Sequence, residues 1–234
     1  MDWNLKLGLI VPSWNTVMEY EFQALGGAHT SMHSQRIKHI ADTAENLNWL
    51  GTQAASAAEL LSHAKVNGIC YGCTASGFLK SYNDDLEFER ELEDSTGIAS
   101  VVSSASIVRA LLAMGVKKIS VASPYEPWLN VELERYLREA DFDILSIKGL
   151  STQAHGSVTT QAVKELALSV ILPSTQAIFI SCSNLRTLSI IDEIEAETGK
   201  LVVTSNQASF WGILNRLENK EVIKGAGRLL REFR

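Results

Sequence analysis

Two similar α/β lobes, each a mainly parallel four-stranded sheet flanked by helices, with a site in the cleft between them, are what this sequence predicts. Three observations carry that expectation. Short β-branched runs alternate with longer helical stretches along the chain, the pattern of buried parallel strands joined by helical crossovers. Gly97, Gly115 and Gly199 fall where helices should stop before the next strand. The chain also repeats itself.

The expected strands are LKLGLIV, SMHSQRI, NGICYG and IASVV in the first half, then KKISVAS, FDILSI, QAIFIS and KLVVTS in the second. Helical patterns lie between them: AENLNWLGTQAASAAELLSHA, LEFERELEDSTG, SIVRALLAMG, NVELERYLREA and LSIIDEIEAETG. The repeat runs through both halves. Strand LGLIV meets Pro12 and strand ISVAS meets Pro124; a cysteine follows 61 residues later in one case and 58 in the other. After each cysteine come an acidic helix, a Thr-Gly pair and a strand with two valines, ASVVSS or LVVTSN. The lobes are expected at 1–108 with 207–234, and at 109–206, the change of lobe lying near 104–116.

Composition narrows the function classes. Of 234 residues, 46% are hydrophobic and 21% charged, the balance of an ordinary globular chain. A formal charge of −6 with scattered Lys and Arg argues against nucleic acid as a partner; the short basic end RLLREFR reads as a solvated helix terminus. No segment approaches the about 20 apolar residues needed to span a bilayer, so no membrane is expected. The first residues lack the basic flank and cleavage site of a secretory signal. Three cysteines suit reduced thiols and a cytoplasmic location.

Chemistry concentrates at the strand ends, where open parallel sheets bind ligands. The first half offers Pro12-Ser13-Trp14-Asn15 and Cys73-Thr74; the second offers Pro124-Tyr125 and Cys182-Ser183-Asn184. If the lobes face each other, one cleft receives a thiol from each side. Both cysteines sit at strand-to-helix junctions, where outward backbone N–H groups favour negative charge, lowering a thiol pKa or holding a carboxylate. Cys70 lies within its strand and reads as a small buried hydrophobe, which removes the redox reading of Cys70 and Cys73. Structural zinc needs about four ligands, and the histidines are too scattered to supply them. No phosphate loop or serine elbow occurs. His155, in STQAHGS, is the one histidine with a place near the cleft, but it reads first as a loop surface residue, leaving the cysteines without an obvious histidine partner.

At these residues the sequence resembles a known group. GLIVPSWNTVMEYEF is similar to the opening motif of maleate cis-trans isomerases; CTASGF, SPYEPWLN and SCSNLRTLSIIDEIEAETGKLVVTSNQA continue the match. With the arylmalonate decarboxylases, that group belongs to the aspartate/glutamate racemase superfamily. The resemblance implies two pseudo-symmetric lobes and a cofactor-independent isomerase. Cys73 would add to the alkene of maleate or a related small dicarboxylate, and Cys182 would act from the opposite face. Ser13, Asn15, Thr74, Tyr125, Ser183 and Asn184 would bind the carboxylates. It also implies a homodimer or homotetramer. Trp14 stands where the family commonly has serine, and the Arg-containing pattern expected near 151–157 is missing.

Other readings stay open. Two opposed thiols also suit an amino-acid racemase, although Pro-Ser-Trp-Asn and Cys-Ser-Asn replace the glutamate racemase motifs. An arylmalonate-type decarboxylase needs one thiol rather than two. A role in ectoine breakdown is known within the group. A small-acid binding module without turnover is the alternative of another class.

Overall fold

The computed structural model describes residues 4–233. Its first four strands are β1 (Leu5–Pro12), β2 (Thr30–Ile37), β3 (Gly68–Tyr71) and β4 (Ala99–Val102). The second four are β5 (Lys118–Ser123), β6 (Asp143–Gly149), β7 (Ala177–Ile180) and β8 (Leu201–Thr204). They form two separate sheets, ordered β2-β1-β3-β4 and β6-β5-β7-β8, every pair parallel. The same order twice is the repeat seen in the sequence, now as topology. Central strands are buried on both faces, so Leu7, Leu9, Ile10 and Val11 of β1 run as a continuous apolar stretch without alternation.

Helices cover the sheets: α1 (Met18–Gly26), α2 (Ala44–Thr52), α3 (Ala54–His63), α4 (Thr74–Gly77), α5 (Tyr82–Thr96) and α6 (Ser103–Ala113) accompany the first. Then come α7 (Pro127–Glu139), α8 (Thr160–Ser169), α9 (Ile191–Thr198), α10 (Ser205–Arg216) and α11 (Gly227–Glu232). The chain crosses back near its end. Helix α10 packs against α6 and β4, whereas α11 lies against β8 and α9. None of the described helices is long and apolar enough to cross a membrane.

Local sequence explains the boundaries. Ser81 and Asp84 form a reciprocal capping box at the start of α5, and Thr204 and Gln207 do so for α10. Gly97 and Gly199 close α5 and α9 with φ of +69° and +66°, a conformation that penalises any residue with a Cβ. The stretch 44–64, expected as one helix, is two. Gly51 and Thr52 are weak helix formers, and the Thr52 hydroxyl donates to the Trp49 carbonyl at 2.7 Å, turning the chain at Gln53.

Candidate active site

The carboxyl ends of β1, β3, β5 and β7 converge on one cleft. It is lined by Cys73 and Cys182 together with Pro12, Trp14, Asn15, His39, Asp42, Thr74, Ala75, Tyr125, His155, Ser183 and Asn184. The cleft encloses about 280 Å³ including its open mouth.

Cys73 follows β3 by two residues and occupies the N-cap position of α4; Cys182 likewise follows β7 by two residues. Both thiols are free. Short strands that stop at the cleft floor, followed by turns rich in small residues, aim both side chains inward from matched positions. The donors at these junctions favour the thiolates as expected, but burial outweighs them. Burial pushes Cys73 up to about 11, against the lowering contributed by the Ser76 hydroxyl and the Ser76 and Ala75 N–H groups. Burial likewise raises Cys182; the Asn184 N–H and the Tyr125 hydroxyl oppose it, while the charge of Asp42 adds to it. Burial thus favours the protonated form of both thiols.

Cys182 is also conformationally strained. Its φ of +101° lies in a region L-residues rarely adopt, and such a position costs on the order of 1–3 kcal/mol. Surrounding bonds hold it: its N–H donates to the Ser205 hydroxyl at 3.0 Å, and the Asn184 N–H points at its sulfur at 3.3 Å. The result is a sulfur aimed at His155, whose Nδ1 is 3.5 Å away.

Of the residues expected in the site, Asn15, Thr74, Tyr125, Ser183 and Asn184 all line the cleft, but Ser13 does not. Ser13 is exposed, and its hydroxyl accepts from the His39 N–H at 3.0 Å, because the turn after β1 swings it outward to pin the next loop. Several of the others are partly committed to joining the lobes. Asn15 Oδ1 accepts from the Val17 and Met18 N–H groups, both at 3.0 Å, and so caps α1. Its Nδ2 donates to Ser183 Oγ at 3.0 Å, and that hydroxyl donates to the Gly72 carbonyl at 2.7 Å. Asn184 Oδ1 accepts from the Thr16 N–H at 2.9 Å. Tyr125 is buried and its phenol is raised well above 10 by burial, so it remains a hydrogen-bond donor. Thr74 shares a hydroxyl contact of 3.2 Å with Ser103.

Sequence reasoning missed three side chains. His155, read as a surface residue, is 3% exposed and sits in the cleft. His39 and Asp42, from the loop after β2, are buried beside it. His39 Nε2 meets Asp42 Oδ1 at 3.0 Å, and His155 Nε2 lies 3.5 Å from Asp42 Oδ2. The indole of Trp14 packs edge-on against both imidazoles, with centroids 4.3 and 5.6 Å apart. The signal for the loop pair was KHIAD, two ionisable residues three apart just beyond a strand end. For His155 the signal was its place in STQAHGS, the one histidine position expected near the cleft, but a loop sequence does not say what folds over it.

Comparison with known proteins places this arrangement. A profile of the arylmalonate decarboxylase family matches residues 7–230. The chain belongs to that family. A maleate isomerase of Pseudomonas putida is 28% identical over 96% of this chain and 96% of its own length. The family fold extends to solved structures. The Nocardia farcinica maleate cis-trans isomerase bound to Tris superposes with a TM-score of 0.91 at 25% identity, covering 97% of this chain and 98% of that one. A cysteine-to-serine mutant of that isomerase, carrying a covalently bound succinylcysteine intermediate, superposes with a TM-score of 0.93 at 24% identity over 97% of this chain and 98% of its own.

Proposed function

We propose that this chain is a cis-trans isomerase that converts maleate, or a closely related small dicarboxylate, to its trans isomer by cysteine addition, rotation and elimination. The observation that carries the reading is the pair of buried thiols, Cys73 and Cys182, lining one small cleft from equivalent strand ends. Membership of the family and the full-length similarity to a maleate isomerase support it.

The chemistry follows from what each group can do. Cys73 has three donors for its ionised form, from Ser76 and Ala75, so it is the nucleophile. Its thiolate adds to one alkene carbon, and the π-electron pair moves to the other carbon and its carboxylate. The hydroxyls of Thr74 and Tyr125 and the amide of Asn15 are the donors placed to hold that charge. Cys182 acts on the second carbon from the opposite wall as acid and then base. The former double bond is now single and turns; expulsion of the Cys73 thiolate restores it as trans. A succinylcysteine on the Nocardia isomerase is the same kind of adduct. No step requires a metal or organic cofactor. Three free thiols suit a reducing cytoplasm, and a homodimer or homotetramer belongs to the same proposal.

The test is incubation with maleate, with D- and L-aspartate and with an arylmalonate in D2O, followed by proton NMR. Fumarate formed from maleate supports the isomerase. Deuterium at the aspartate α-carbon, or carbon dioxide lost from the arylmalonate, with maleate untouched, overturns it in favour of a racemase or a decarboxylase. No change in any substrate favours a binding module.

A further inference from the structure

We propose that His155 is the acid–base partner of Cys182, and that Asp42 is the residue that positions it. The geometry sets a thiol, an imidazole and a carboxylate side by side. His155 Nδ1 stands 3.5 Å from Cys182 Sγ, within reach of a thiol proton, and Nε2 faces Asp42 Oδ2 at 3.5 Å. Asp42 is itself fixed. Its other oxygen meets His39 Nε2 at 3.0 Å, and its N–H donates to the Gln153 side chain at 3.1 Å. Trp14 and Tyr125 pack edge-on against the His155 ring, at centroid distances of 5.6 and 5.8 Å, so the ring has little freedom to turn. His155 Nε2 is buried and makes no hydrogen bond of good geometry within the protein, so the Asp42 carboxylate at 3.5 Å is the charge that faces it.

The titratable groups facing His155 are Cys182 after β7, Tyr125 after β5, and Asp42 and His39 after β2, with Cys73 in the same cleft. Burial lowers the His155 pKa below its ordinary value, with Asp42 and the Thr152 backbone opposing, a shift that favours the neutral ring.

This partner solves a problem the two raised thiols create. In the resting cleft both sulfurs carry protons. The Cys182 S–H bond breaks toward Nδ1, its electron pair staying on sulfur, and gives a thiolate–imidazolium pair beside Asp42. The Cys73 proton passes across the cleft to the Cys182 thiolate, which frees Cys73 to attack. Cys182 then gives a proton to the substrate carbon. In the adduct one of the two original thiol protons is on carbon and the other on His155, facing a Cys182 thiolate ready to take the carbon proton back after rotation.

The proposal rests on the isomerase reading only for its substrate, so the experiment includes a readout that needs none. Iodoacetamide alkylation of Cys182, followed by mass spectrometry of its peptide in the intact chain, is measured from pH 5 to 10. In the wild-type protein the rate should rise through the imidazole range, at or below about pH 6.5, instead of near the free-thiol value of about 8.5. His155→Gln should slow alkylation at pH 7.5 by about tenfold or more, the gap narrowing toward pH 10 as hydroxide replaces the base. Maleate turnover at pH 7.5 should fall about 100-fold in the same variant, with the same recovery toward alkaline pH. Asp42→Asn, which keeps a polar group of the same size, should give a smaller loss with the same pH signature, and it carries the test if His155→Gln does not fold. A wild-type onset at or above the free-thiol value, or a loss equal at every pH, overturns the assignment. Failure of wild-type turnover with the alkylation signature intact removes the isomerase reading and leaves the His155–Cys182 pair standing.

Discussion

Asn15, at the end of the first strand, donates to the hydroxyl of Ser183, beyond the seventh, at 3.0 Å, and Ser183 hands the bond on to the Gly72 carbonyl at 2.7 Å. One buried hydroxyl therefore ties the two halves together next to both cysteines. A second tie lies behind it. The Glu21 carboxylate of α1 accepts from the Thr187 and Leu188 N–H groups at 2.6 and 2.9 Å and from Asn206 at 2.7 Å.

Ser183→Ala leaves an amide donor and a carbonyl buried without that partner. Each such group costs about 1–3 kcal/mol. Differential scanning calorimetry should show Tm lowered by on the order of 5 °C for a chain of this size. A change within 1 °C would mean that water replaces the hydroxyl and the tie carries no load.

Replacing either sulfur by oxygen separates the two roles. Cys73→Ser should abolish measurable conversion of maleate, since an alcohol does not add to the alkene. Cys182→Ser should lower kcat by about 10²–10⁴, the usual worth of a general acid–base group, with little change in KM. Single-turnover mass spectrometry should find a substrate adduct on Cys73 in the Cys182→Ser variant and none in the reverse case. An adduct on Cys182 would exchange the assignments.

The conformation at position 182 makes an unusual ordering testable. Cys182→Gly and Cys182→Ala both remove the thiol, but only glycine relaxes a φ of +101°. Urea denaturation should find the glycine variant more stable than the alanine variant by about 1 kcal/mol, the reverse of the order expected in ordinary backbone. Alanine as the more stable of the two would mean that no strain is stored there.

Asp85 of α5 supplies a pH test away from the cleft. Its carboxylate accepts from Tyr136 of α7 at 2.6 Å and from Ser104 of α6, and burial raises it from 3.8 to about 6. The folded protein thus holds this proton more tightly than the unfolded chain. The stabilisation is fully present below about pH 3.8 and is lost as pH rises through about 6, by on the order of 3 kcal/mol. Asp85→Asn removes that dependence. The difference in urea midpoint between variant and wild type should shift in favour of the variant between pH 4 and pH 7, and a constant difference would contradict the assignment.

Much of this was legible before any coordinates. All eight strands, the glycine stops at Gly97 and Gly199 and the matched settings of Cys73 and Cys182 follow from short-range pattern: apolar runs that must be buried, residues that tolerate positive φ, and repetition. The turn within 44–64 was missed because a weak helix former inside an apolar pattern gives no clear boundary.

The electrostatics of the cleft were decided only by the tertiary structure. A strand-to-helix junction looks favourable to a thiolate in isolation, but the closing of one half over the other removes water from both sulfurs, and desolvation overrides the local dipoles. The same closure carries His155 from a loop to the side of Cys182 and brings Asp42 up behind it, while Ser13, one residue beyond Pro12, turns away. Sequence determined which groups stand at the strand ends, since that depends on residues near one another in the chain. Which of them meet, and in what dielectric, depends on segments from 27 to more than a hundred residues apart coming together in space.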